Sequence, residues 1–130
     1  MIVVDASVLV DILLRVPAMD AAAYRLFLSG ETLHAPHLLD LEVTQVLRRH
    51  EARRQAGTDR CREAFDDLGR IRLFRHPHNV LLARVWALRG NLTAYDAAYV
   101  ALAELLAAPL LTRDRRLAAS TGHRAQIELV

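Results

Sequence analysis

An α/β fold, a three-layer sandwich with a short, mostly parallel sheet flanked by helices, is predicted by three features of the sequence. Short apolar or β-branched runs alternate with longer stretches of helical periodicity from the first residues onward. The junctions between them carry capping and turn residues, among them Asp5, Pro17, Gly30, Pro36, Gly57, Gly90, Thr93 and Pro109. With 130 residues, 53% of them hydrophobic, the chain has the length of one ordinary domain and enough apolar surface to bury a core without disulfides or a structural metal. One domain over residues 1–130 is therefore expected.

Ile2 to Val4 is a β-branched run closed by Asp5, and Ala6 to Leu14 continues with Val8, Leu9, Ile12 and Leu13 at helical spacing, so a strand feeds a helix. Pro17 opens a second helix, Ala18 to Leu28, which Ser29-Gly30 ends; Thr32 to Ala35 reads as a strand before Pro36. His37 to about Gln55 is a long helix with Leu39, Val43, Val46, Leu47 and His50 on one stripe, stopped near Gly57. Thr58 to Leu68 continues as another helix, so Arg48 to Arg62 reads as two helices joined at Gly57, with a projecting helical arm as one outcome. Ile71 to Phe74 is a third strand, and Asn79 to Leu88 a helix closed by Gly90. Thr93 to Ala107 is the most apolar helix and Pro109 breaks it. Leu110 to Thr112 is a buried strand leading into a short helix, Asp114 to Ala119, and Gln126 to Val130 adds a last strand.

Composition excludes several functions. A formal charge of +2 does not by itself mark a nucleic-acid binder. All 17 basic residues are arginine, a pattern that a compositional bias of the host explains but that still rules out any mechanism needing a catalytic lysine. A magnesium-dependent phosphoacceptor domain is excluded on that ground. Cys61 is alone, so it has no internal disulfide partner and no companion for a thiolate metal site; it reads as a small buried apolar residue in a reducing cytosol. The N-terminal run contains Asp5 and Asp11 and no basic leader, unlike a signal peptide. The longest nearly apolar segment, Ala97 to Leu111, is shorter than the ~20 residues of a membrane span. A soluble cytoplasmic protein without a membrane partner is expected.

Four acidic residues, Asp5, Glu42, Asp96 and Asp114, interrupt apolar stretches. Local structure accounts for three of them singly: Asp5 and Asp114 sit where a strand becomes a helix, and Asp96 lies three residues after Thr93, so each fits an N-cap or capping box. Glu42 differs, because on its helix it shares a face with Leu38 and Val46. In an open parallel sheet the strand ends and following helix starts form one edge, where ligands bind, and Asp5 and Asp114 both belong there. Two carboxylates about 4 Å apart repel by ~4 kcal/mol at an effective dielectric near 20, so convergence of the four calls for a hard, oxygen-loving cation.

The blocks VVDASVLVDIL, LLDLEVTQVL, LTAYDAAYVALA and LLTRDRRLA, in this order, resemble the signature segments of PIN-domain proteins and, with the chain length, most resemble the VapC-type toxins of bacterial toxin–antitoxin pairs. The resemblance runs from Met1 to about Ala119, with Arg48 to Arg89 contributing little. It implies that Asp5, Glu42, Asp96 and Asp114 are the catalytic acids and hold Mg²⁺ or Mn²⁺, and that Thr112 and Ser7 match hydroxyl positions beside them. Both hydroxyls are candidates to orient water or a carboxylate, with helix capping the simpler role for Ser7. It further implies endonucleolytic cleavage of RNA leaving a 5′-phosphate, a cognate antitoxin as partner and a homodimer. A PIN-like RNA- or protein-binding module without catalysis is the alternative.

Other residues are read more plainly. Arg113, Arg115 and Arg116 flank Asp114 and are candidate substrate-binding residues, as a fork for a phosphate or as solvated side chains. Arg48, Arg49, Arg53 and Arg54 decorate a helix surface that could extend an RNA track. His76 and His78 read as surface histidines, and Trp86 and Tyr99 as core; Tyr95, beside Asp96, is open.

Overall fold

Strands β1 (Ile2–Val4), β2 (Leu33–Pro36), β3 (Leu73–His76), β4 (Leu110–Thr112) and β5 (Ile127–Leu129) form one sheet in the order β3-β2-β1-β4-β5. The computed structural model describes residues 1–130. Every pairing is parallel, so the expected mostly parallel sheet is wholly so. Ile2, Val3 and Val4 are all buried, as unbroken apolar runs are in a strand covered on both faces. Strand order reverses beside β1: the chain steps outward through β2 and β3, then crosses to β4 and β5. The crevice at such a reversal lies at the carboxyl ends of the strands, immediately before Asp5 and Arg113.

The helices are α1 (Ala6–Leu13), α2 (Asp20–Leu28), α3 (Leu38–Ala52), α4 (Thr58–Arg70), α5 (Leu82–Ala87), α6 (Ala94–Leu106) and α7 (Arg115–Ala118). Helix α1 packs on α3, α4 and β4, whereas α6 lies across β1, β2 and β4 and carries α5. Right-handed crossovers with this strand order put α1 to α4 on one face and α5 to α7 on the other. Ala97 to Ala103 of α6 are all buried, which is why this helix is apolar almost all round. All of them but Ala98 belong, together with Leu9, Leu39, Val43, Leu110 and Leu111, to one cluster of 30 buried residues. No helix is long and apolar enough to cross a membrane.

Departures from expectation are local. Arg70 still belongs to α4 and Ile71 caps it, so β3 begins two residues later than expected; a two-residue slip keeps the same side chains on the same face. The expected helices from Ala18 and Asn79 each begin as a 3₁₀ turn, Pro17–Met19 and His78–Val80, before α2 and α5. The expected helical arm folds back: α4 packs against both α3 and α1. Trp86 does not join the core. It is 68% exposed, because the one and a half turns of α5 bury only the flanking Leu81 and Leu88, and the guanidinium of Arg89 covers its ring. His76 and His78 are not free surface groups. His76 Nε2 lies 2.9 Å from Nδ1 of the buried His34, and His78 Nε2 accepts the Leu38 N–H at the start of α3. Burial pushes the pKa of both His34 and His76 down.

A fork of two hydrogen bonds, Arg84 Nε to Glu104 Oε2 (2.6 Å) and Arg84 Nη2 to Glu104 Oε1 (2.9 Å), ties α5 to α6. The Arg124 N–H also donates to Oε1, drawing in the segment before β5. Chiefly through the Arg84 bond, Glu104 is lowered to about 2 from an ordinary 4.5. A lowered carboxylate contributes stability above its unfolded pKa and loses it as pH falls toward the folded one. The stability gap between wild type and Glu104→Gln, measured by urea denaturation, is expected to be constant above pH ~5 and to close as the pH drops from 4.5 toward about 2. A gap unchanged at pH 3 would contradict it.

Candidate active site

β1 and β4 pair side by side, with Val3 opposite Leu110 and Val4 opposite Leu111, and the Asp5 N–H donates to the Leu111 carbonyl. This register brings the residues that leave the two strands together. Asp5 is buried, and its Oδ2 accepts hydrogen bonds from Ser7 Oγ (2.5 Å) and from the fully buried Thr112 Oγ1 (2.7 Å). Thr112 Oγ1 in turn accepts the Asp114 N–H, and Ser7 Oγ accepts the Arg113 N–H. The two hydroxyls therefore lock the β1–α1 turn to the β4–α7 turn. Ser7 is not a helix cap; Asp5 occupies the N-cap position of α1 but makes no capping hydrogen bond with its side chain.

The other three acids arrive from helices. Asp114 caps α7, its Oδ1 accepting from the N–H groups of Arg116 and Leu117. Asp96 sits in the first turn of α6, where Thr93 accepts its N–H and donates to its Oδ2. Glu42 lies on the inner stripe of α3, half-buried, and its Oε2 accepts from the Tyr99 hydroxyl at 2.6 Å. Tyr99 is in the core as expected, with its hydroxyl turned to the site.

Asp5, Glu42, Asp96 and Asp114 line one cleft of about 510 Å³. No three of the acidic, histidine or cysteine side chains form a ready-made metal cage. What distinguishes these four is the lack of a cation. Asp11, Glu31, Asp40, Glu63, Asp67, Glu104 and Glu128 are ion-paired, and Asp20, Glu51, Asp59 and Asp66 are exposed. The four in the cleft are the only acidic residues removed from full exposure without an ion pair.

The electrostatics follow. Burial raises the pKa of Asp5 against the lowering effect of the Ser7 and Thr112 hydroxyls, and the Asp96 charge adds to the rise. Burial likewise raises Glu42 against the Tyr99 bond, with smaller contributions from Asp5 and Asp96. Tyr99 is pushed far above the ordinary phenol range by burial and the Glu42 charge. The side-chain donors to Asp5, Glu42 and Asp96 and the α7 amides that cap Asp114 each engage one oxygen of the carboxylate, and no side chain donates to the other. Oxygen-only donors with a free oxygen apiece, and mutual repulsion to relieve, fit a hard divalent cation.

The remaining predicted residues are dispersed. Arg113 turns away: its Nη1 donates to Asp11 Oδ2 of α1 at 2.5 Å and contacts Met19. Arg115 is exposed on α7, and Arg116 lines an adjoining cleft of about 350 Å³ that shares Asp96 and Asp114. Gln45, Arg49 and Tyr95 also line the main cleft: Arg49 comes from the basic run that could extend an RNA track, Tyr95 is the open residue beside Asp96, and only Gln45 has no functional reading in the sequence. For Gln45 and Arg49 a signal existed, since they follow Glu42 at i+3 and i+7 on one helix face.

The sequence profile of the PIN domain family matches residues 2–121. Ribonuclease VapC1 of Mycobacterium tuberculosis is 44% identical over 129 residues, 98% of this chain and 96% of its own length. Ribonuclease VapC9 of the same organism is 42% identical over 130 residues, 100% and 98% of the two chains. Among solved structures, M. tuberculosis VapC20, a sarcin–ricin loop cleaving toxin, superposes with a TM-score of 0.69 at 17% identity, covering 95% of this chain and 97% of that one. A toxin–antitoxin complex from Klebsiella pneumoniae gives a TM-score of 0.65 at 19% identity over 92% and 91% of the chains. At those identities the structures establish the fold, while the sequence matches establish the kinship: this chain belongs to the PIN-domain family and, within it, to the VapC type.

Proposed function

We propose that this chain is a divalent-metal-dependent endoribonuclease, the toxin of a toxin–antitoxin pair, acting in the cytoplasm as a single PIN domain. The observation that carries the reading is the cleft lined by the chain's only sheltered acidic residues without an ion pair, in a protein 44% identical to a ribonuclease. Asp5, Glu42, Asp96 and Asp114 would hold Mg²⁺ or Mn²⁺ through the oxygens that no side chain engages. Bound there, the ion supplies a Lewis acid for a phosphate oxygen and lowers the pKa of water.

The protein's own side chains do the positioning. Ser7 and Thr112 fix Asp5 in one rotamer by occupying Oδ2, Thr93 fixes Asp96, and the α7 amides fix Asp114. Tyr99 holds Glu42 Oε2 and Thr93 holds Asp96 Oδ2; whichever of these two carboxylates is not fully engaged with the metal would accept the proton of the attacking water. Water oxygen bonds to phosphorus, the P–O3′ bond breaks, and the products carry a 5′-phosphate and a 3′-hydroxyl. Exposed apolar side chains, among them Tyr24, Phe27, Leu41, Phe65 and Trp86, supply surface for a cognate antitoxin and for a second copy of the chain.

Asp5→Asn and Asp96→Asn are each expected to abolish RNA cleavage while leaving the stability of the metal-free protein unchanged or raised, because a like charge leaves the cluster. Retained metal-dependent cleavage by both purified variants would sink the assignment. Millimolar Mg²⁺ or Mn²⁺ should raise the melting temperature of the wild type and not of these variants, by ligand linkage; equal shifts in all three would place the ion elsewhere. Thr112→Val is expected to cost ~1–3 kcal/mol in urea denaturation, since the Asp114 N–H and Asp5 Oδ2 both lose a buried partner, and Thr112→Ser to restore most of it. Equal stability of the Val variant would show that the hydroxyl bridge is dispensable.

A further inference from the structure

The acidic site is the meeting point of two clefts. The larger extends from the four acids along α3 past Gln45 to Arg49, with Tyr95 on its wall; the smaller runs from Asp96 and Asp114 to Arg116. The two clefts adjoin at Asp96 and Asp114, which line both, and are taken together as one groove. Arg49 and Arg116 are the only arginines lining it, and neither guanidinium takes part in any ion pair or hydrogen bond, whereas Arg75, Arg84 and Arg113 are all consumed by carboxylates. Arg49 stands two turns, about 10 Å along the axis, from Glu42. It is too far along the helix to serve the reacting phosphate and well placed for a neighbouring one. Tyr95 is 67% exposed and lines the larger cleft together with Asp96.

A cluster of carboxylates repels a polyanion, so a nucleic-acid strand crossing it needs positive charge on both sides. The groove supplies one unengaged arginine on each flank and one exposed aromatic face, the elements of sequence-tolerant single-strand binding. Building on the ribonuclease reading, we propose that single-stranded RNA runs along this groove over Asp96 and Asp114. Arg49 holds a phosphate on one side of the scissile bond, Arg116 holds one on the other, and Tyr95 stacks a base on the Arg49 side. These are positioning residues, and their effect is on binding rather than on the proton transfers.

The test measures binding of a short labelled oligouridylate by fluorescence anisotropy, in an Asp5→Asn background that blocks cleavage, over about 50–200 mM salt. Arg49→Gln and Arg116→Gln should each weaken binding and lower the slope of log K against log salt by about 0.7, the increment for one phosphate contact on a single strand. Arg72→Gln, which lines a different cavity, should change neither. Tyr95→Ala should weaken binding roughly tenfold with an unchanged slope, and Tyr95→Phe should not. An unchanged slope in both arginine variants, or an equal fall in Arg72→Gln, overturns the proposal. So does normal RNA binding by variants that escape antitoxin inhibition, which would assign the groove to the antitoxin. Absence of any cleavage by the wild type with Mg²⁺ sinks the ribonuclease reading instead, independently of these slopes.

Discussion

The parallel pairing of β1 with β4 is the constraint on which the site depends. These strands are separated by more than a hundred residues of chain, yet their ladder register places Asp5 and Thr112 at neighbouring strand ends. A one-residue slip would send Val3 and Val4 to the wrong faces and carry Asp5 away from Thr112. The hydroxyl bridge is thus a consequence of backbone pairing, and it hands the constraint on: Thr112 receives the Asp114 N–H, and Ser7 receives the Arg113 N–H. The two turns that follow the strands become one unit.

Around that unit the protein maintains a charge arrangement that costs stability. Everywhere else an acid withdrawn from solvent is matched by an arginine, as Asp40 is by Arg75, Glu104 by Arg84 and Asp11 by Arg113. At the cleft the same rule is suspended, and hydroxyl and amide donors take the place of cations. Such donors orient a carboxylate without neutralising it, which is the property a site needs if a metal ion and a phosphate are to supply the rest. The raised pKa of Asp5 and Glu42, driven by burial with no cation to oppose it, is the electrostatic mark of this choice.

The arginines divide along the same line. With no lysine in the chain, every ion pair between side chains uses a guanidinium, and three of them bridge separate elements: α5 to α6, α3 to β3, α1 to the β4–α7 turn. Arg113 adjoins Asp114 in sequence, as Arg115 does, and that adjacency suggests a phosphate contact; its side chain is instead used to fasten α1. Arg49, remote in sequence, reaches the cleft because α3 carries it there on the face of Glu42.

Much of this was legible in the sequence because it is encoded locally. The order of strands and helices follows from periodicity and from caps such as Thr93 and Asp114, whose bonding partners lie within three residues. The four acids stood out because each interrupts an apolar run. What the sequence could not decide were contacts between residues far apart along the chain: Thr112 with Asp5, Tyr99 with Glu42, His34 with His76, Arg113 with Asp11. Trp86 shows the same limit from the other side, since its apolar surroundings in sequence say nothing of whether a short helix turns it toward the sheet or toward water. By itself the sequence determined the elements, their order and the four carboxylates. Only the tertiary structure decided which carboxylates lack a cation, which oxygens are engaged and which arginines remain free, because pairing depends on neighbours that strand register and helix packing bring together.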